Sequence, residues 1–399
     1  MPRSALVLGA GLLTAASFAC VPDVQMRAPL PVLGSRATVM PAVLTSRSYC
    51  SDADSFFQRV AVLKAGYNPN VPPGQYVPPT LAPASGPANN PYNLRTEIVN
   101  DLKAAYANAP PFFKTQLCRL DGVYLNSTGC ANGDVNNCVF SGDIFSTSWG
   151  FRSRYPAAPD NGSRYIAISA GLWQPGQAAL PFHQIADTQL KRLASWGGAQ
   201  VQLTNPPNPD TTWMTVLAVF SHEFGHVRWI DVTVALRAPP NPPAGGPYDF
   251  STLTSCAGGN FFVGWNYQND NQLFPKGRWR EFNDRKNEGG EIDHVSPPFI
   301  SQFLGGLSAD QKNDLFYTLF LITSQNDPPW ASYLGSLVPD EDFVESYVLG
   351  VLTGNAGGVH LQSLPITLVY SNGSTKTVDV PATLGSRTTL QKKIACIPP

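Results

Sequence analysis

Residues 215–231 read TVLAVFSHEFGHVRWID, and the reading of the fold starts from them. Leu217, Phe220, Phe224 and Val227 recur every three or four positions, and the run WMTVLAVF at 213–220 is almost wholly apolar. That pattern predicts a buried helix. Residues four apart lie on one helical face, so His222 and His226 present their imidazoles to one point. With Glu223 beside the first histidine, this is the HExxH spacing of a metal helix. Zinc takes neutral imidazole at about 2.0–2.1 Å, and a catalytic site needs a third protein ligand plus a position for water. The metal lowers the pKa of that water from about 16 to about 7, and Glu223 takes the proton as general base. The plainer alternative is a buried helix with two hydrogen-bonded histidines and an ion-paired glutamate. With five His and seven Glu in 399 residues, a shuffled chain would contain the pattern roughly 0.001 times, which favours the metal. Gly225 costs about 1 kcal/mol in a helix interior, so it predicts close packing beside the metal.

The third ligand must come from elsewhere. An HExxHxxGxxH extension would need glycine at position 229 and histidine at 232, where the chain has Trp229 and Val232. His183, His294 and His360 each stand alone, without a second ligand at helical spacing. The better source is Pro339-Asp340-Glu341-Asp342-Phe343-Val344-Glu345. Proline followed by acidic residues is ordinary helix-start chemistry, and it accounts for Asp340 and Asp342. It does not account for two of only seven glutamates at i and i+4 on one face, Glu341 and Glu345. Such a pair suits one metal ligand and one carboxylate that orients a ligating histidine.

HEFGH at 222–226 and EDFVE at 341–345 together resemble the gluzincin group of zinc peptidases, in its bacterial branch similar to the catalytic domain of anthrax lethal factor. The resemblance implies His222, His226 and Glu341 as Zn2+ ligands, Glu223 as general base and Glu345 as support for a ligand histidine. It also implies a tyrosine shortly before the ligand glutamate that stabilises the oxyanion, and Tyr333 stands at about that place. The 114 residues between His226 and Glu341 exceed the spacing of the family's compact forms.

Composition limits the partners. A net charge of −1 with no basic cluster gives no reason to expect nucleic acid or an anionic membrane as a partner. Residues 1–19 carry Arg3, the apolar run ALVLGAGLLTAASFA and small residues at the end. This predicts a secretory signal peptide, too short for the ~20 residues of a membrane span. Ser17-Phe18-Ala19-Cys20 resembles a degenerate bacterial lipobox, with Ser17 where leucine is usual, so Cys20 is a candidate lipid anchor. Setting Cys20 aside leaves Cys50, Cys118, Cys130, Cys138, Cys256 and Cys396, an even number for up to three disulfides in an oxidising compartment. The other reading is plain secretion with Cys20 free or bridged to another chain.

Elsewhere the pattern is uneven. Ser51–Asp54 resembles a capping box and predicts a helix through about Lys64 with Phe56, Phe57, Val60 and Leu63 on its apolar side. Residues 66–93 hold eight prolines and are either an extended linker or a loop wrapping the following unit. A helix at about 95–108 is stopped by Pro110-Pro111, and strands are expected at 116–126 (QLCRLDGVYLN), SWGFRSRY and 164–173 (RYIAISAGLW). Cys130 and Cys138 flank a Gly/Asn-rich loop and are candidates to pair. The nearby aspartates lack EF-hand spacing and suit turns better than calcium. Helices follow at about 183–196, 308–323 and 339–352, and residues 238–300 show no clear periodicity. Strands from 359 are joined by a turn at Ser371–Ser374.

The expectation is an α+β, zincin-like metallopeptidase with a small C-terminal β extension. Its units would be a signal peptide at 1–19, a tether, helix and Pro-rich linker at 20–94, a catalytic unit at 95–358 with an insertion at about 238–300, and a β-hairpin extension at 359–399. It would act on a peptide or protein substrate outside the cytoplasm, anchored to a bacterial envelope membrane through Cys20. The alternative is a non-catalytic, zinc-containing surface lipoprotein used for binding or structure. Glu223 argues against that, because a purely structural site has no need of it.

Overall fold

The chain forms an α+β structure in which a mixed sheet lies against a layer of helices. The computed structural model describes residues 50–67, 79–139, 148–152, 164–186, 201–203, 205–233, 250–263, 265–268, 272–275, 284–286, 292–294, 308, 310–311, 330–332, 335, 339–353 and 360–397. The expected signal peptide, Cys20 and the expected tether lie outside these residues, as do most of the helices expected at 183–196 and 308–323.

Helix α1 (Ala53–Phe57) opens at Asp52, whose carboxylate accepts the Ser55 N–H while the Ser55 hydroxyl accepts the Asp52 N–H. A reciprocal cap forms here, but one residue later than the expected Ser51–Asp54 box, with Asp52 and Ser55 as its partners. The helix does not run on to Lys64. It ends at Phe57, and Val60–Leu63 forms strand β1, buried at all four positions. Apolar residues at 56, 57, 60 and 63 fit either element, and the β-branched Val60 and Val62 favour a strand covered on both faces. β1 pairs in parallel with β2 (Gly122–Asn126), with Val60 opposite Val123. The boundary expected near residue 95 therefore falls inside the sheet rather than ahead of it.

Helix α2 (Thr96–Asn108) buries Ile98, Asp101, Leu102, Ala105 and Tyr106, an i, i+3, i+4, i+7, i+8 stripe. Pro110-Pro111 ends it as expected, but a second helix α3 (Pro111–Arg119) begins at once with Pro111 in its first turn. That position tolerates proline because the missing N–H would have no partner in the helix. The strand expected across 116–126 thus shrinks to β2, and the Cys50–Cys118 disulfide joins α3 to the chain just ahead of α1. Strand β4 (Arg164–Ser169) runs parallel to β2, and β3 (Trp149–Arg152) lies antiparallel to β4, giving the order β1-β2-β4-β3.

Alternate residues serve the two faces of this sheet. Val62, Val123, Leu125, Ile166 and Ile168 join the helical core. Ala61, Leu63, Tyr124, Trp149, Tyr165 and Ala167 face the other way and are covered by Tyr67, Leu81 and Tyr92. Of the two readings of the proline-rich stretch, the described part at 79–93 is therefore a loop wrapping the sheet.

Helix α4 (Thr212–Thr233) carries the HEFGH segment at 222–226 and is buried on nearly every side. Its start is pinned by Asp101 of α2, whose carboxylate accepts hydrogen bonds from the Thr212 hydroxyl, the Trp173 indole N–H at 2.9 Å and the Ala179 N–H at 2.8 Å. Across α4 lies the late helix at Pro339–Thr353. The two approach so closely that a β-carbon on Gly225 would stand 3.1 Å from the Val344 Cα. The expected role of Gly225 in close packing is met.

Between these helices, part of the 238–300 insertion is described: helix α5 (Ser251–Thr254) and two hairpins, β6 (Trp265–Gln268) with β7 (Gln272–Pro275) and β8 (Asp284–Lys286) with β9 (Ile292–His294). Phe250, Phe261 and Phe262 pack with Trp229 and Phe343, while Cys256 bridges to Cys396. In chain order the Pro339–Thr353 helix is α6.

The C-terminal hairpin forms from β10 (Pro365–Val369) and β11 (Thr375–Asp379), turning at Gly373 with φ +80°. It is not a separate extension, because β5 (Val201–Leu203) pairs with β10 on its other side. Nor does the chain end in β structure. Helices α7 (Val380–Gly385) and α8 (Thr388–Cys396) follow, and α8 packs on α6. The sequence concealed α8 because Lys393 occupies one of its inward positions.

Candidate metal centre

His222 and His226 leave α4 one turn apart with ring centroids 5.1 Å from each other. Glu341, from the first turn of α6, meets them: its Oε1 is 3.7 Å from His226 Nε2. One donor atom from each of His222, His226 and Glu341 lies within 4.8 Å of the other two, and all three residues are buried. Glu345, one turn beyond Glu341, accepts a hydrogen bond from His222 Nδ1 at 3.1 Å. That bond directs the other ring nitrogen, Nε2, toward the group, as a carboxylate behind a ligand histidine does.

Electrostatics separates the two histidines. Burial alone would discharge His222, but the hydrogen bond to Glu345 and the charges of Glu341, Glu223 and Glu345 outweigh it, raising the pKa to about 9. Burial, reinforced by the charge of His222, holds His226 well below the usual histidine range, and so neutral. Burial raises the Glu223 carboxyl to about 8; His222 opposes that shift, Glu341 adds to it, and the Gly150 N–H, by hydrogen bonding, opposes it. A dication nearby would pull this value back down, since a bound ion is the largest local charge.

The donor set fits a metal ion. Two imidazoles and one carboxylate, buried together, are the kind of ligands that transition metals take. Glu223 sits beside the group without belonging to it. Its backbone touches the sheet: a β-carbon on Gly150 would lie 1.8 Å from the Glu223 carbonyl oxygen. Only glycine lets β3 approach this part of α4.

The remaining candidates fall elsewhere. Tyr333 lies outside the described residues, and of His294 only the backbone, in β9, is described. His183 is taken up by Asp210, which accepts from its backbone N–H at 3.0 Å and lies 2.7 Å from its Nδ1. His360 packs edge-on against Trp213, with burial lowering its pKa. The three disulfides are Cys50–Cys118, Cys130–Cys138 and Cys256–Cys396, which use every cysteine except Cys20, and the second is the pair anticipated across the Gly/Asn-rich loop. Their presence is compatible with an extracellular protein. Among the described residues, no helix is long and apolar enough to cross a membrane.

Sequence reasoning missed the contact next door. Asp342, adjacent to Glu341, is fully buried against Lys393 of α8. Nothing in the primary pattern marks a lysine 51 positions away as its partner. Comparison with family models, curated proteins and solved structures gave no match.

Proposed function

We propose that this chain is a zinc-dependent peptidase of gluzincin type with a zincin-like catalytic unit, exported and held at a bacterial envelope membrane by a lipid on Cys20. The observation that carries the reading is the buried His222, His226 and Glu341 group, with Glu345 behind His222 and Glu223 alongside. A zinc ion held by these three residues would polarise a peptide carbonyl and make water nucleophilic at neutral pH.

The protein's own groups supply the rest. Glu223 accepts a proton from the attacking water as the water oxygen bonds to the carbonyl carbon. It then passes that proton to the departing amine as the C–N bond breaks, leaving a carboxylic acid and a free amine, between which the remaining proton moves to give carboxylate and ammonium. Glu345 holds the His222 ring in place, and Tyr333 is the proposed donor to the developing oxyanion. The substrate class is an extended peptide. β3 is the terminal strand of its sheet and touches Glu223 through Gly150, and among the described residues no strand pairs with its outer side. Such an edge can take an extended chain by backbone hydrogen bonding.

The test is hydrolysis of a fluorogenic peptide library. Glu223→Ala should keep its metal and lose roughly 10²–10⁴ in rate, the usual contribution of a general base. Metal-loaded wild type that cleaves no peptide, with a fourth protein ligand closing the site, would instead favour the non-catalytic surface module.

A further inference from the structure

Asp342 follows the candidate ligand Glu341 directly, and its carboxylate lies 2.5 Å from the ammonium of Lys393, with both side chains fully buried. Lys393 also stands 5.1 Å from the centre of the Phe261 ring. The contact joins the first turn of α6 to α8 across 51 residues.

Stability alone is a poor reason for this pair. Removing two ions from water is costly, and well-packed apolar residues in their place are often as stable or more so. A buried pair does fix position, because neither group can move without stranding the other. Here α8 is itself held. Leu390, Lys393 and Cys396 are all buried, Cys396 is bridged to Cys256, and Ile394 lies against Gly350 of α6. Adjacent side chains leave a helix about 100° apart. Any rotation of the turn that released Asp342 would therefore swing Glu341 away from His222 and His226. It would also disturb the bond from His222 to Glu345, one turn further along.

We propose that Lys393 is a positioning residue for the metal site: by holding Asp342, it sets the direction from which the Glu341 carboxylate meets the two histidines. This rests on the metal reading above.

The test uses Co2+ bound to the full chain, measured by affinity and by its visible d–d spectrum, which reports ligand geometry without any hydrolysis. Lys393→Met leaves a buried carboxylate behind, so the deciding variant is Lys393→Met combined with Asp342→Leu, which removes both charges. The double variant should keep the wild-type circular dichroism spectrum, yet bind Co2+ about 10–100-fold more weakly, with an altered spectrum. Wild-type affinity and spectrum in that folded double variant would overturn the inference alone. If both variants fail to fold, the pair determines the fold rather than the site, and the inference fails too. Wild-type protein that binds no Co2+ would overturn the metal reading itself, and this proposal with it.

Discussion

Gly150 and Glu223 are in backbone contact: a β-carbon at position 150 would stand 1.8 Å from the Glu223 carbonyl oxygen and 2.8 Å from its carbonyl carbon. Strand β3 and helix α4 thus meet at a point where only hydrogen fits. We predict that Gly150→Ala lowers stability toward the upper end of the ~1–3 kcal/mol range of overpacked sites. Because the clash is with backbone, activity should fall as well. Urea unfolding checks the first effect, and an unchanged midpoint would show that the two elements separate freely.

Asp101 ties three segments to the start of α4 by accepting from Thr212, Trp173 and Ala179. Asp101→Ala would strand the buried Trp173 and Ala179 donors, at about 1–3 kcal/mol for each one left unsatisfied. Thermal melting should show a loss larger than any single surface substitution gives. A melting temperature within a degree or two of wild type would mean that the donors find other partners.

The Cys256–Cys396 bridge spans 140 residues of sequence and anchors α8 beside α6. Replacing both cysteines with serine should cost roughly 2–5 kcal/mol, as expected for a bond closing a long loop. Denaturant titration of the double serine variant measures this directly. Equal stability would indicate that packing alone holds α8.

Cys20 is the one cysteine outside the three bridges. With a lipid on it, the wild type should partition with membranes, and Cys20→Ser should appear as soluble, exported protein with its disulfides intact. Intact-mass analysis of the mature N-terminus decides the matter. An unmodified, soluble wild type would leave plain secretion as the explanation.

What the sequence disclosed depended on how local the signal was. His222 and His226, and likewise Glu341 and Glu345, were legible because one helical turn separates each pair. Their meeting across α4 and α6 is a long-range event that spacing alone does not encode. Phe56, Phe57, Val60 and Leu63 were read as one helix because a helical stripe and a short buried strand after a helix place apolar residues alike. The second proline helix was missed because Pro111 starts a helix as readily as it ends one. The lysine of the Lys393–Asp342 pair looks like an ordinary solvated charge until the fold buries it.

The central claim is that His222, His226 and Glu341 hold a catalytic zinc ion, and elemental analysis with metal titration tests it most directly. Purified wild type should carry about one zinc per chain, removable by chelator and restored by zinc with recovery of activity. His222→Ala and Glu341→Ala should be nearly metal-free, whereas Glu345→Ala should still load at high zinc with affinity roughly 10–100-fold weaker. A metal-free Glu345→Ala with Glu341→Ala still loaded would reverse the two glutamates' roles. Full zinc retained in both His222→Ala and Glu341→Ala would contradict the account.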